Sequence, residues 1–191
     1  MATYLLTWNP KRWPWNNLEE CIVDIKQRGY YEDTWSCGRN TKIMKSDRVF
    51  LIRLGTEPKG ICGSGWVTSK KFFEDIHWDE EKQKRGELAR YIKLRFDKLL
   101  DPEHESILPR MALDQGILAR MHWDSQTSGI SIQDDVADEL EKLWASFLGK
   151  PYATPFVTGA KEISPDQKFW EGAAKQVSIN VYERDPQARI V

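Results

Sequence analysis

His77, His104, His122, Cys21, Cys37 and Cys62 are the side chains from which metal or nucleophilic chemistry would ordinarily be built. None of the histidines stands in a ligand spacing such as HxxxH. The three cysteines are unclustered and odd in number, so they form neither a disulfide framework nor a zinc site. No GxSxG, P-loop or dinucleotide fingerprint occurs, and GSG at 63–65 alone does not make a phosphate loop. Glu32 and Asp33 beside Trp35 could act as acid and base, but isolated carboxylates near a turn are mostly solvated. The expectation is binding without catalysis: no catalytic residue, no metal and no cofactor in this chain.

Nine tryptophans in 191 residues exceed what a core of this size uses, and the surplus points to flat surfaces for stacking. The candidates for a binding pocket are Trp8 and Asn9 at a strand end, Trp35 and Ser36 in a polar turn, Trp66 on a hairpin, Trp78 after it, and Trp123 with Asp124. Aromatic walls hold a planar or methylated group, while an amide, hydroxyl or carboxylate reads its hydrogen-bonding edge. Stacking contributes roughly 1–3 kcal/mol per base, so two walls can offset the few kcal/mol needed to extrude a base from a duplex. Core packing is the competing reading of Trp66 and Trp123, and the preferred one for Trp144 and Trp170, which lie on apolar helix faces. Trp35→Ala is expected to abolish binding and leave the fold intact.

Net charge is −1, from 28 basic and 29 acidic residues, so the total gives no support for a nucleic-acid partner. The local distribution is more suggestive: Arg39, Lys42, Lys45, Arg48, Lys59, Lys70 and Lys71 crowd the centre of the chain, a pattern that a solvated charged surface explains equally well. Hydrophobic residues at 40% and charged residues at 30% fit a soluble globular protein, and no apolar window has the length of a membrane span. No signal peptide opens the chain, and a cytoplasmic location is expected.

Several elements must position these groups. Thr3–Trp8 reads as a buried strand, followed by the proline-stiffened loop WNPKRWPWNN with Trp13 and Trp15. Asn17 is placed to cap a helix over Leu18–Arg28 that Gly29 ends. Val49–Leu54 and Ile61–Val67 read as a hairpin whose first strand is apolar on both faces, as an interior strand is. Gly60, Gly63 and Gly65 thin its partner, where a backbone, a bulge or a ligand comes close. Alternation over Arg90–Leu99 gives another strand, Ile107–Leu118 a loop with a helical turn, and Asp134–Leu148 the clearest amphipathic helix. Phe156–Thr158 is read as a last edge strand and Ser164 to about Glu183 as another helix. One α+β domain results, built around a curved mixed sheet flanked by helices.

YLLTWNP, DTWSCGRN, VFLIRLGTEPKGICGSGWVTS, RYIKLRFDKLLDP and WDSQTSGISI, in that order and before a helix ending LEKLW, together resemble an EVE domain of the PUA-like superfamily, related to YTH and ASCH domains. The resemblance implies a barrel-like sheet with a pocket for one modified nucleotide over residues 1–160. WEGAAKQVSINVYERDPQAR, within 161–191, is similar to the helical connection that joins such a reader to an HNH nuclease in modification-dependent restriction endonucleases. The chain then reads as a bacterial, cytoplasmic recognition domain without its cutter. A divalent metal would belong to the nuclease domain, and any homodimer would form through that C-terminal part. The implied partner is double-stranded DNA in which 5-methylcytosine or 5-hydroxymethylcytosine is flipped out, with no membrane involved. Trp35, Ser36 and Asn9 match the related YTH pocket, Trp78 falls near its second wall, and Trp66 and Trp123 compete for that wall. Arg39, Lys42, Lys45, Lys70 and Lys71 would contact phosphates. The alternatives are a YTH-like reader of methylated adenine in RNA or DNA, and a small-ligand pocket protein.

Overall fold

Strand β3 (Arg48–Arg53) is buried at all six positions, as an interior strand covered on both faces is. In the computed structural model, which describes residues 1–149, β1 (Thr3–Trp8) runs parallel to it on one side. On the other side, β4 (Gly60–Val67) runs antiparallel. Outward from these lie β6 (Leu88–Leu99) and β2 (Tyr31–Ser36) at one end of the sheet and β8 (Ile130–Ile132) at the other, in the order β2-β6-β4-β3-β1-β8. Short strands β5 (Phe73–Ile76) and β7 (Leu108–Pro109) pair with β6 and β4. The sheet is mixed and open, and the protein is α+β. Helix α1 (Leu18–Arg28), the short α2 (Glu80–Lys84) and α3 (Asp134–Phe147) complete it. The expected edge strand at Phe156–Thr158, the helix from Ser164, Trp170 and the 161–191 connection lie outside the described residues.

Side chains alternate between the two sheet faces. Trp8, Trp35 and Phe96 gather with Trp15 on the α1 side. Phe50, edge-on to Trp144 at 6.4 Å, and Arg48, bonded to Glu141, meet α3 on the other. Arg48 is buried beneath α3 and reaches Glu141 at 2.6 Å, Asp97 at 2.9 Å and the Gly65 carbonyl at 3.2 Å. Ser64 Oγ donates to Asp97 and accepts from Trp144 Nε1. The network is fully paired, which a buried charge requires.

Register shifts in β4 against both its neighbours curve the sheet. Gly65 is needed there for a backbone reason and not for a ligand, since a Cβ would meet the Arg95 carbonyl of β6. The curl brings β2, at one end of the strand order, towards β1 and the segment before β8 at the other. No ladder joins them. The seam is held instead by Asn40 Nδ2 donating to the Gly129 carbonyl at 2.7 Å and by tryptophans packed across it.

Three local expectations change. Trp35 and Ser36 end β2 and precede the turn, because Trp35 pairs with Ile92 and Ser36 with Tyr91. Asn17 makes no side-chain cap to α1, although Gly29 ends that helix with φ 85° as read from the sequence. Ile107–Leu118 holds the expected helical turn, as the 3-10 turn Arg110–Asp114, and adds the short β7 and the start of a second 3-10 turn, Gly116–Arg120. β8 is too short to be read by alternation.

Candidate functional site

The seam leaves a cleft of about 1040 Å³. Its walls come from the end of β1 (Thr7, Trp8, Asn9), the following loop (Arg12, Trp13), the end of β2 with its turn, the β5–α2 connection, the start of β6, and Gln126–Ser128. The last segment is fixed to β1: Thr7 N donates to Ser128 Oγ at 2.9 Å, and Thr7 Oγ1 to the Ser125 carbonyl at 3.1 Å.

Trp8, Trp13 and Trp35 line one side, with Trp15 packed behind them. Trp8 packs edge-on to Trp15 at 5.7 Å and donates Nε1 to the Trp13 carbonyl. Trp13 and Trp15 each lie 5.1 Å from Trp35, and Phe96 lies 6.0 Å from it. Trp35 is only 6% exposed, so it forms the floor of the cluster. The rings that solvent reaches are Trp13 at 39% and, across the β5–α2 connection, Trp78 at 41%. Because Trp35 is enclosed by three aromatic rings, Trp35→Ala is expected to lower stability as well as binding, a cost that the sequence-based expectation left out.

Among the predicted pocket residues, Trp8, Asn9, Trp35, Ser36 and Trp78 line the cleft. Asn9 Oδ1 accepts from Lys11 N, while its Nδ2 has no partner among the described residues. Ser36 Oγ accepts from Gly38 N, leaving its hydroxyl hydrogen available. The other three lie elsewhere. Trp66 stands on the α3 face under the Arg48 guanidinium, 4.7 Å from its ring. Trp123 is fully buried and donates to the Leu118 carbonyl. Asp124 is held by both arms of the Arg110 fork at 3.0 and 2.7 Å, which keeps its carboxyl below the usual range.

The cationic groups divide similarly. Arg39 lines the cleft and Lys42 a neighbouring groove, whereas Lys45, Lys70 and Lys71 are exposed and line neither. Arg12, Lys82 and Arg90 also line the cleft. Arg90 pairs with Glu74, and Glu87 with Arg85, so Arg12, Arg39 and Lys82 are left without an ion pair among the described residues. A chain of net charge −1 thereby presents a cationic rim at the seam cleft. Sequence reasoning placed Trp13 in a stiff loop and did not bring it into the pocket; its neighbour Arg12 and the paired prolines were the available signal. Tyr91, tied by its hydroxyl to the Ile76 carbonyl at 2.6 Å, carried none.

No group of histidine, cysteine and carboxylate side chains among the described residues could hold a metal ion. Burial pushes Cys37 up to about 11 and Cys62 up to about 12, so neither thiol is a ready nucleophile at neutral pH. No helix among the described residues is long and apolar enough to cross a membrane.

These features define an α+β protein with a curved mixed sheet and an aromatic, cation-rimmed cleft at the seam. No known protein family's model matches the chain, and no curated protein matches it in sequence. Among solved structures it is similar in fold to a hypothetical protein from Leishmania major, at 14% identity and a TM-score of 0.50, over 73% of this chain and 92% of that one. Proteins from Pseudomonas putida and Pseudomonas syringae, both 14% identical, align with TM-scores of 0.49 and 0.48 over 73% of this chain and 97% of theirs.

Proposed function

We propose that this chain is an EVE-type, PUA-like reader of modified cytosine, 5-methylcytosine or 5-hydroxymethylcytosine, in double-stranded DNA. One observation carries the reading: the seam cleft combines two solvent-reachable indoles, Trp13 and Trp78, with three cations that have no ion pair among the described residues, Arg12, Arg39 and Lys82. Flat rings suit a base and free cations suit its phosphates. The duplex docks on the rim, one nucleotide swings out, and its base stacks on Trp13 or Trp78 above the Trp35 floor. Cytosine's exocyclic amine is a donor and faces an oxygen, for which Asn9 Oδ1 and Ser36 Oγ are the candidates, while Asn9 Nδ2 can donate to a base acceptor. A methyl-sized apolar recess discriminates by only about 1–3 kcal/mol, so the expected preference over cytosine is about 5- to 160-fold.

In this reading the chain is the recognition part of a bacterial, cytoplasmic restriction endonuclease, and cleavage belongs to a separate HNH domain with its own divalent metal. The test is a competition assay at fixed salt with one duplex carrying cytosine, 5-methylcytosine or 5-hydroxymethylcytosine. A further arm carries methyladenine in DNA and in RNA. Preference for one modified cytosine supports the proposal. Preference for methyladenine transfers the cleft to the YTH-like alternative, and equal binding to every probe overturns base reading.

A further inference from the structure

A second concavity of about 370 Å³ adjoins the cleft, lined by Tyr4, Arg39, Asn40, Thr41, Lys42 and Ser131. Arg39 belongs to both. The groove contains two cations and no carboxylate. Its wall is held in shape from within: Asn40 N donates to the Cys37 carbonyl, Asn40 Oδ1 accepts from Lys42 N at 2.8 Å, and Asn40 Nδ2 reaches across the seam to Gly129. The nearest buried acid, Asp47, is occupied by the backbone N–H groups of Ala2 and Met44. Neither Arg39 nor Lys42 has an ion pair among the described residues.

We propose that this groove is a backbone subsite for the strand that carries the extruded base, taking a phosphodiester next to the one held by Arg39. Resting on the function proposed above, it assigns the path of the polynucleotide: over the cleft, past Arg39 and along Lys42 beside β8. Arg39 and Lys42 are three residues apart, so their Cα atoms are separated by at most about 10 Å. Their long, flexible side chains bring both cations within reach of neighbouring phosphates of one continuous strand. Thr41 and Ser131 supply hydroxyl donors of the kind that position phosphates without reading sequence.

Two variants test the groove, Lys42→Ala, which removes a cation, and Ser131→Glu, which adds an anion on an exposed edge. Melting curves first confirm that both are folded. Duplex affinity is then measured across salt for modified and unmodified probes. Each variant should weaken both probes by the same factor, leaving their ratio fixed, and Lys42→Ala should reduce the slope of log K against log salt by about one. An unchanged slope in Lys42→Ala with unchanged affinity in Ser131→Glu overturns the subsite, even where the wild type prefers a modified base. If the wild type shows no such preference but the slope still falls, the base-reading proposal fails and the phosphate groove stands. Inorganic phosphate at constant ionic strength should not displace duplex from the wild type. Displacement at micromolar phosphate would make the groove a free-anion site and overturn its assignment to a polynucleotide.

Discussion

Trp35→Ala removes an indole that is 6% exposed and packed among Trp13 and Trp15 at 5.1 Å and Phe96 at 6.0 Å, where β2 faces α1. Truncating a buried tryptophan to alanine costs about 3–5 kcal/mol, from lost transfer energy and the cavity left behind. In a domain of this size about 1 kcal/mol lowers Tm by about 2–4 °C, so the variant should melt about 6–20 °C below the parent. Circular dichroism is the suitable probe, because the mutation itself alters tryptophan fluorescence. Trp13→Ala and Trp78→Ala remove the exposed rings and should cost about 1–2 kcal/mol of stability, within the ordinary range of substitutions. Each stacked base lost should weaken binding to modified DNA by about 1–3 kcal/mol, or about 5- to 160-fold. A Trp35→Ala protein melting within two or three degrees of the parent (about 1 kcal/mol or less) would refute the floor assignment. Folded Trp13→Ala and Trp78→Ala proteins that both bind modified DNA as the parent does would refute the exposed rings as stacking surfaces.

Two further predictions concern buried charge. Arg48→Met removes the guanidinium between the Phe50 and Trp66 rings and leaves Glu141 without its cation and Asp97 with Ser64 alone, their side chains 30% and 39% exposed. Water can reach both carboxylates, so the loss in urea unfolding should lie near the lower end of the about 3–5 kcal/mol seen for broken buried pairs, and a loss under about 1 kcal/mol would contradict the network's role. Burial raises the Asp33 carboxyl above its ordinary pKa. Its favourable contribution is therefore complete below the unfolded value of 3.8 and is lost as pH rises through the folded one. Asp33→Asn can keep the acceptor that Thr34 N uses at 2.7 Å. It should be more stable than the parent at pH 7 and match it below pH 3.8. Equal stability at both pH values would contradict the shift.

Hydrophobic patterning made the sheet legible where strands were long or central. Val49–Leu54 announced an interior strand, and the alternation at Ile92, Leu94 and Phe96 marked β6 despite its charged flanks. β8 and β7, of three and two residues, carry no period to read. The site was partly legible for a related reason. Trp8, Asn9, Trp35 and Ser36 end two strands far apart in the order, and only the curl of the sheet brings those ends together. A tryptophan in a polar sequence looked exposed, yet Trp35 faces inward on its strand between outward Thr34 and Ser36. Trp123 beside Asp124 looked like a ring with its polar reader, but the chain turns Trp123 into the core and gives Asp124 to Arg110. Local sequence sets which residues are aromatic or charged; which of them share a cavity depends on long-range curvature.

Base extrusion into the seam cleft is tested most directly with 2-aminopurine placed next to the modified cytosine in the same strand, opposite thymine, where stacking on that cytosine quenches its fluorescence. Adding the protein should raise the fluorescence for the modified duplex and leave the unmodified one nearly unchanged, with the rise lost in Trp13→Ala or Trp78→Ala. Tight binding to the modified duplex without any rise in fluorescence would contradict extrusion and confine the cleft to contacts with an intact helix.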